Sequence, residues 1–343
     1  VPRERRMSLR TKGMLDGIVA SRGDKGIYSK KLGRNFALVD LLRWNMFELF
    51  PLRFTAGGEQ KKGGLCSSIS AWGKGTKDGS ALMVRDLDFG SPGDLLEQSS
   101  IMIAYHSQAL VCPEKSWVSW AFPGIIGCLT GMNEDGVGAA VHYATGAAPV
   151  EDLLLYIPWV YTPLSFVVRS GLESAGSGLS PDPLAGLYSL ISAGLTAGSF
   201  NVHVVRPYGS GLSQASPPAA VIEGRSGATG LRTCRENRQD EPRLLSDYFL
   251  AATNHHRKID APEPCERYKI IVDALNALGI LALEAGFAVE RDAVQKQSPY
   301  HTVQMIGFSA DTKDIRVAFA RPGSPCYEQE PVHFSWDELI PPG

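Results

Sequence analysis

From Leu65 to Tyr143 the chain breaks into short runs rich in β-branched and aromatic residues: CSSISAW, SALMVRDLDF, SIMIAYHS, SWVSWAF, GIIGCLTGMN and VGAAVHYA. Turn-forming clusters such as GKGTKDG separate them, and runs of this kind between such punctuation read as successive antiparallel strands. A series of antiparallel strands must bury at least one face of its sheet against another layer, which limits the architectures open to the chain. Helical patterns near Pro163 to Ser174, Pro183 to Leu195 and about Cys265 to Phe287 supply that layer. A strand pair, NVHVV and AAVIEG, lies between them, Arg225 to Pro242 reads as polar and irregular, and DYFLAATNHH reads as a strand entering a turn. Short strands around Thr302 to Phe308, Ile315 to Ala320 and Val332 to Ser335 close the chain. Helices layered on largely antiparallel sheet, an α+β protein, are therefore expected, and the lack of an internal repeat excludes solenoids and propellers.

Residues before Leu65 have a different texture. They start basic, contain an amphipathic stretch from about Asn35 to Leu49 that suits a helix stopped by Pro51, and end in the flexible connector GGEQKKGG. Lys and Arg number 34 against 36 Asp and Glu, with no block of five like charges, so the basic stripe that nucleic acid requires is missing. The longest apolar stretch, Ile270 to Val289, is broken by Asp273, Asn276 and Glu284 and reads as a core helix, not a membrane span. The chain opens on Val1 and Pro2 without an initiator Met, which leaves the compartment open between cytoplasm and export with a removed leader. Self-association is left open as well.

The six cysteines are scattered and form no C-x-x-C pair, which argues against zinc and thioredoxin-like chemistry; a Cys234 to Cys265 disulfide is conceivable for an exported chain. Cys66 stands apart, at the head of a strand directly after the connector. If Gly73 to Gly79 joins the two strands of a hairpin, Trp72 faces Ser80 and Cys66 faces Asp86, with Arg85 and Asp88 close by. Arg85 and Asp88 are three residues apart and fall on opposite faces of a regular strand, so a shared site requires the strand to bend or end between them. A thiol titrates near pH 8.5 and gains nucleophilicity beside a cation such as Arg85. The hairpin holds no histidine to act as base. Cutting the bond before Cys66 would supply one, an α-amine of pKa about 7.7 to 8.0 on the nucleophile's own residue.

These residues resemble the nucleophile region of the N-terminal-nucleophile hydrolases related to isopenicillin N acyltransferase, the C45 peptidase-like group, and more distantly acid ceramidase and choloylglycine hydrolase. GIIGCLTGMNEDGVGAAVHYA, AAVIEG, TNHH and the closing strands from Thr302 are similar to later parts of the same family. The resemblance implies a four-layer αββα sandwich of stacked, largely antiparallel sheets. It further implies autocatalytic cleavage between Leu65 and Cys66, dividing the chain into a pro-segment, 1–65, and a catalytic domain, 66–343. Carried over residue by residue, Cys66 is the nucleophile, Asp88 holds its freed amine, Arg85 gives electrostatic support and Asn254 donates to the oxyanion. Two departures stand out: Asp86 occupies a position usually held by Asn, which is expected to weaken the support from Arg85, and His256 replaces an aromatic residue, which is expected to alter the acyl pocket.

The implied activity is cleavage of a linear amide bond in a small N-acyl amide or peptide-like substrate through a Cys66 thioester, with water or an amine as acceptor. No cofactor is required. His255, His256 and His301 do not have the spacing of metal ligands, and GKGT at Gly73 to Thr76 is not a phosphate loop. The contrasting expectation is an uncleaved, inactive homologue serving as a binding or structural module.

Overall fold

The computed structural model describes residues 3–45, 66–90, 99–107, 114–144, 162–174, 182–193, 199–209, 216–225, 227–239, 242–262, 264–294 and 300–342. The helix stop at Pro51, the connector, Leu65 and most of the loop between Pro207 and Pro218 lie outside them. The N-terminal segment forms α1 (Arg3–Arg22), a small hairpin of β1 (Tyr28–Ser29) and β2 (Arg34–Asn35), and α2 (Leu38–Asn45). The antiparallel run follows as β3 (Cys66–Ala71), β4 (Leu82–Gly90), β5 (Ile101–Tyr105), β6 (Trp117–Ala121), β7 (Thr130–Asn133) and β8 (Gly138–Tyr143). Then come α3 (Leu164–Ser174), α4 (Pro183–Ala193), β9 (Phe200–Val205), β10 (Ala219–Arg225), β11 (Ala228–Arg232) and β12 (Phe249–Ala252). The chain ends with α5 (Glu266–Leu278), α6 (Leu283–Ala293), β13 (Tyr300–Ser309), β14 (Ile315–Phe319), β15 (Val332–Phe334) and α7 (Trp336–Leu339).

Two antiparallel sheets stack face to face. One has six strands in the order β12-β3-β4-β13-β14-β15, and the other seven in the order β11-β10-β9-β8-β7-β6-β5. Met83, Leu250 and Ile306 meet Val118 and Met132 between them, and Trp120 stacks on Phe308 with ring centroids 5.9 Å apart. The sheets approach so closely at Gly138 that a Cβ there would lie 2.2 Å from the Phe308 ring. Ile271, Leu275 and Phe287 of α5 and α6 cover the outer face of the six-stranded sheet. Val167, Leu172 and Leu187 of α3 and α4 cover the other sheet. Helix, sheet, sheet and helix follow in the order expected for the αββα sandwich.

Three readings change. The stretch from Cys265 to Phe287 is two helices, because Gly279 turns left-handed (φ 67°) and its N–H caps Leu275, a conformation that favours glycine. Leu281 then turns inward, buried, and its N–H reaches the carbonyl of Gly75 at 2.8 Å. The hairpin register is one residue from expectation, with Cys66 opposite Leu87 and Ser67 opposite Asp86, because the connection spans the longer segment from Trp72 to Ala81. Within the stretch read as irregular, β11 pairs along β10 as an edge strand. Its Arg232 donates to Glu223 at 2.8 Å, so a buried ion pair replaces the apolar signature of a strand.

A polar chain crosses between the sheets. Ser68 Oγ lies 2.9 Å from His142 Nε2 and 2.7 Å from His203 Nδ1, and His203 Nε2 lies 2.9 Å from Ser70 Oγ. Both rings are fully buried, and burial holds both neutral; Arg85 adds to the effect on His142, and Arg232 on His203, whose pKa falls to about 3. A depressed folded pKa adds stability that is present above the unfolded value, about 6.5, and lost as pH falls toward the folded one. His203→Gln removes that loss. The variant is expected to gain stability on the wild type by up to about 1.4 kcal/mol per pH unit between pH 6 and 3, read by urea unfolding. A constant difference across that range would contradict the assignment.

Candidate active site

Side chains alternate along a strand, and β3 therefore carries different chemistry on its two faces. Cys66, Ser68 and Ser70 face the seven-stranded sheet, whereas Ser67, Ile69 and Ala71 face the layer of α5 and α6. Arg85 joins Cys66 on the first face, with Nη2 donating to Sγ at 3.5 Å and to the carbonyl of Val141 at 2.8 Å. Its Nε and Nη1 are buried and find no hydrogen-bond partner among the described residues.

Asp86 and Asp88 point the other way. Arg267, in the first turn of α5, donates through Nη2 to the Asp86 oxygens at 2.8 and 3.1 Å, and its Nη1 lies 3.1 Å from Asp88 Oδ2. Thr302 on β13 donates its hydroxyl to Asp88 Oδ1 at 2.5 Å. β4 neither bends nor ends between Arg85 and Asp88, which remain on opposite faces; the irregularity is in β13, whose register shifts between Thr302 and Gln304. Nor does Asp86 oppose Arg85 as a bare charge, since it also accepts the backbone N–H and hydroxyl of Ser67.

Asn254 comes from the turn after β12, which pairs with β3 and so brings the turn level with Cys66. Its Oδ1 accepts the backbone N–H of Cys66 at 2.8 Å and its Nδ2 donates to the carbonyl of Tyr143 at 2.5 Å. Glu223 holds the chain beyond it, accepting the backbone N–H groups of Arg257, Lys258 and Ile259 at 3.0, 2.8 and 3.2 Å. His256 fastens the same turn through Asp260 at 2.7 Å and Ser199 at 3.2 Å.

Cys66 is only 2% exposed and packs with Leu87, Ala121, Phe122, Ile125, Leu129 and Val303. The N-terminal segment braces this apolar wall: Asn45 bonds both Gly124 O and Ile126 N, at 2.6 and 2.7 Å, and Trp44 bonds Pro123 O at 3.1 Å. Burial pushes the Cys66 thiol up to about 12, assisted by Asp86 and Asp88 and outweighing the opposite pull of Arg85 and Arg267. The guanidinium alone does not supply a thiolate in the uncut chain. Burial and the neighbouring Asp86 also raise Asp88 well above the carboxylate range, against Arg267 and Thr302.

The structure thus brings Cys66, Arg85 and Asn254 into direct contact and places Asp88 behind the strand. Sequence reasoning missed Ser67, Arg267, Glu290 and Thr302. A single Arg or Glu on an amphipathic helix ordinarily marks its solvated face, and the register of β13 depends on a bulge that no motif announces.

No protein-family model matches the chain, and no curated protein matches it. Among solved structures it is similar to a Caenorhabditis elegans ortholog of N-acylethanolamine-hydrolyzing acid amidase, at 17% identity and a TM-score of 0.52, over 71% of this chain and 93% of that one. Conjugated bile acid hydrolase from Clostridium perfringens also superposes, at 11% identity and a TM-score of 0.45, over 79% and 97% of the two chains. Penicillin V acylase from Agrobacterium tumefaciens does so at 11% identity and a TM-score of 0.42, over 80% and 87%. The fold is that of the N-terminal-nucleophile hydrolases.

The described cysteines are all free thiols, including Cys234 and Cys265. Cys265 contrasts with Cys66: burial raises its pKa, but hydrogen bonds from His255 and the backbone of Tyr268 more than offset this and bring it down to about 7. Thiolate fraction governs alkylation. Iodoacetamide at pH 7.5 is therefore expected to label Cys265 well before Cys66 in the uncut chain, read by peptide mass spectrometry. Labelling of Cys66 first would contradict the burial argument.

Proposed function

We propose that the chain is a cysteine N-terminal-nucleophile amide hydrolase that matures by cutting itself between Leu65 and Cys66. The observation that carries this reading is the placement of Cys66: first residue of β3, Sγ 3.5 Å from a buried guanidinium and backbone nitrogen on Asn254, inside a fold shared with an amide-hydrolysing relative. Residues 1–65 would be the pro-segment and 66–343 the catalytic unit.

In maturation, Sγ attacks the Leu65 carbonyl carbon, the C–N bond to Cys66 breaks and the amide nitrogen takes the thiol proton. Water then hydrolyses the resulting thioester, leaving a carboxylate on Leu65 and a free α-amine on Cys66. That amine removes the need for a preformed thiolate, since a base of pKa about 8 now sits on the same residue as the thiol. In turnover it takes the thiol proton as Sγ attacks the substrate amide and returns it to the leaving amine, then activates water against the acyl-enzyme. Asp88, the β4 residue next to the Leu87 that pairs with Cys66, would reach the freed amine from behind the strand and fix it. Arg85 stabilises developing negative charge, and its buried, unpartnered donors make that role favourable because orphaned donors gain most from an anion. An Asn amide nitrogen has two hydrogens, and Asn254 Nδ2 can serve the oxyanion while keeping Tyr143. The apolar wall of Leu87, Phe122, Ile125 and Val303 suits an apolar acyl group, and transfer to an amine in place of water would use the same intermediate.

A second reading, an uncut binding or structural module, has one observation in its favour, the 2% exposure of Cys66. Intact mass spectrometry with a hydrolysis screen over N-acyl amides of graded chain length separates the two. Wild type is expected to yield a fragment beginning at Cys66 and to hydrolyse some of the series. Cys66→Ala is expected to stay whole, and Asn254→Ala to lose about 10²- to 10³-fold in kcat. A wild-type chain that stays whole and inert, or a Cys66→Ala chain cut at the same bond, would overturn the proposal.

A further inference from the structure

Behind the nucleophile strand the hydrogens can be counted. Ser67 Oγ lies 2.5 Å from Asp86 Oδ1, 2.5 Å from Glu290 Oε2 on α6, and 2.8 Å from the donating Arg267 Nη2. A serine hydroxyl has one hydrogen to give and two lone pairs with which to accept. If Asp86 and Glu290 were both ionised, two short oxygen contacts would share one hydrogen, and one of them would bring a carboxylate against bare oxygen lone pairs.

The partners decide where the additional proton resides. Asp86 accepts from the Ser67 N–H and from Arg267 on both oxygens, an environment that stabilises a carboxylate. Asp88 Oδ2 has no hydrogen-bond partner among the described residues, but it lies 3.1 Å from a guanidinium nitrogen, and the Thr302 hydroxyl donates to Oδ1. Glu290 has neither: Oε2 meets only Ser67, and Oε1 is buried with no hydrogen-bond partner among the described residues. An orphaned carbonyl oxygen of a neutral acid costs far less than an orphaned carboxylate oxygen.

We infer that Glu290 is a neutral carboxylic acid in the folded protein, donating to Ser67, which in turn donates to Asp86, so that a one-proton relay holds the residue after the nucleophile from behind. Ser67 then accepts from Glu290 and Arg267 and donates to Asp86, which exhausts its capacity. Glu290 touches no reacting atom and is a positioning residue. The charged and titratable groups facing it are Asp86 and Asp88 on β4 and Arg267 on α5, with Arg291 next to it on α6. Burial and Asp86 push its pKa well upward, in agreement with the hydrogen count. The assignment concerns the site of the proposed hydrolase, but its readout requires no turnover and survives if that reading fails.

The test is infrared difference spectroscopy of the full chain at pH 7, in which the C=O stretch of an un-ionised carboxylic acid is separate from carboxylate bands. An acid band is expected in wild type, with a component that persists in Asp88→Asn and is lost in Glu290→Gln, whose amide N–H can still donate to Ser67. In Ser67→Ala the band should shift as the acid loses its acceptor, which keeps the test decisive if the Gln variant does not fold. A raised pKa adds stability below the unfolded value that is lost as pH rises through the folded one. The wild-type thermal midpoint should therefore fall relative to Glu290→Gln as pH rises above the ordinary carboxylate range. No acid band in wild type, a band unchanged in Glu290→Gln or in Ser67→Ala, or parallel thermal midpoints would overturn the assignment.

Discussion

Arg267 makes it possible for β4 to carry two aspartates into the interior. Asp86 and Asp88 are both fully buried, and the guanidinium of α5 spans them with nitrogens within about 3 Å of each. Removing one partner of such a cluster typically costs about 3 to 5 kcal/mol, because the charges left behind remain desolvated. The same contact orients Ser67, whose backbone is continuous with Cys66, and Cys66 is thereby aligned from the helix layer while its sulfur faces the opposite sheet. Strand alternation thus separates a layer that positions the strand from a layer in which the thiol lies.

On the sulfur side the electrostatics are restrained. His142 and His203 are buried and neutral, and they join the sheets without adding charge. Arg85 provides a fixed cation beside the sulfur, yet burial pushes the thiol up to about 12 and so keeps it protonated at neutral pH in the uncut chain. A thiol of this kind is quiet until a base arrives, and one cut before Cys66 would create that base at the required place. Bracing of the Phe122 to Ile126 wall by Asn45 and Trp44 connects the N-terminal segment to the apolar surroundings of Cys66.

How far the sequence could be read follows from the range of the interactions involved. Strand runs bounded by turn residues are local, and β3 to β10 and β12 to β15 were legible, as was the layering of helices on antiparallel sheets. Cys66, Arg85 and Asn254 were legible as a group because a family pattern of residue types and order spans them. The one-residue register difference in the hairpin was not, since it depends on how the segment from Trp72 to Ala81 packs. The break at Gly279 has a local cause, but its necessity comes from Leu281 reaching Gly75, far away in sequence. Arg267 and Glu290 are ordinary surface-type residues of helices until the fold turns them toward Asp86, and no pattern in α5 or α6 marks them.

The central claim, that Cys66 is a nucleophile forming an acyl-enzyme, is tested most directly by trapping that intermediate. Mature protein mixed with an N-acyl amide that it accepts, quenched in acid and digested, is expected to show the acyl mass on the peptide beginning at Cys66, labile to hydroxylamine as a thioester is. Product formation with that peptide unmodified, or with the acyl group on a different residue, would contradict the account.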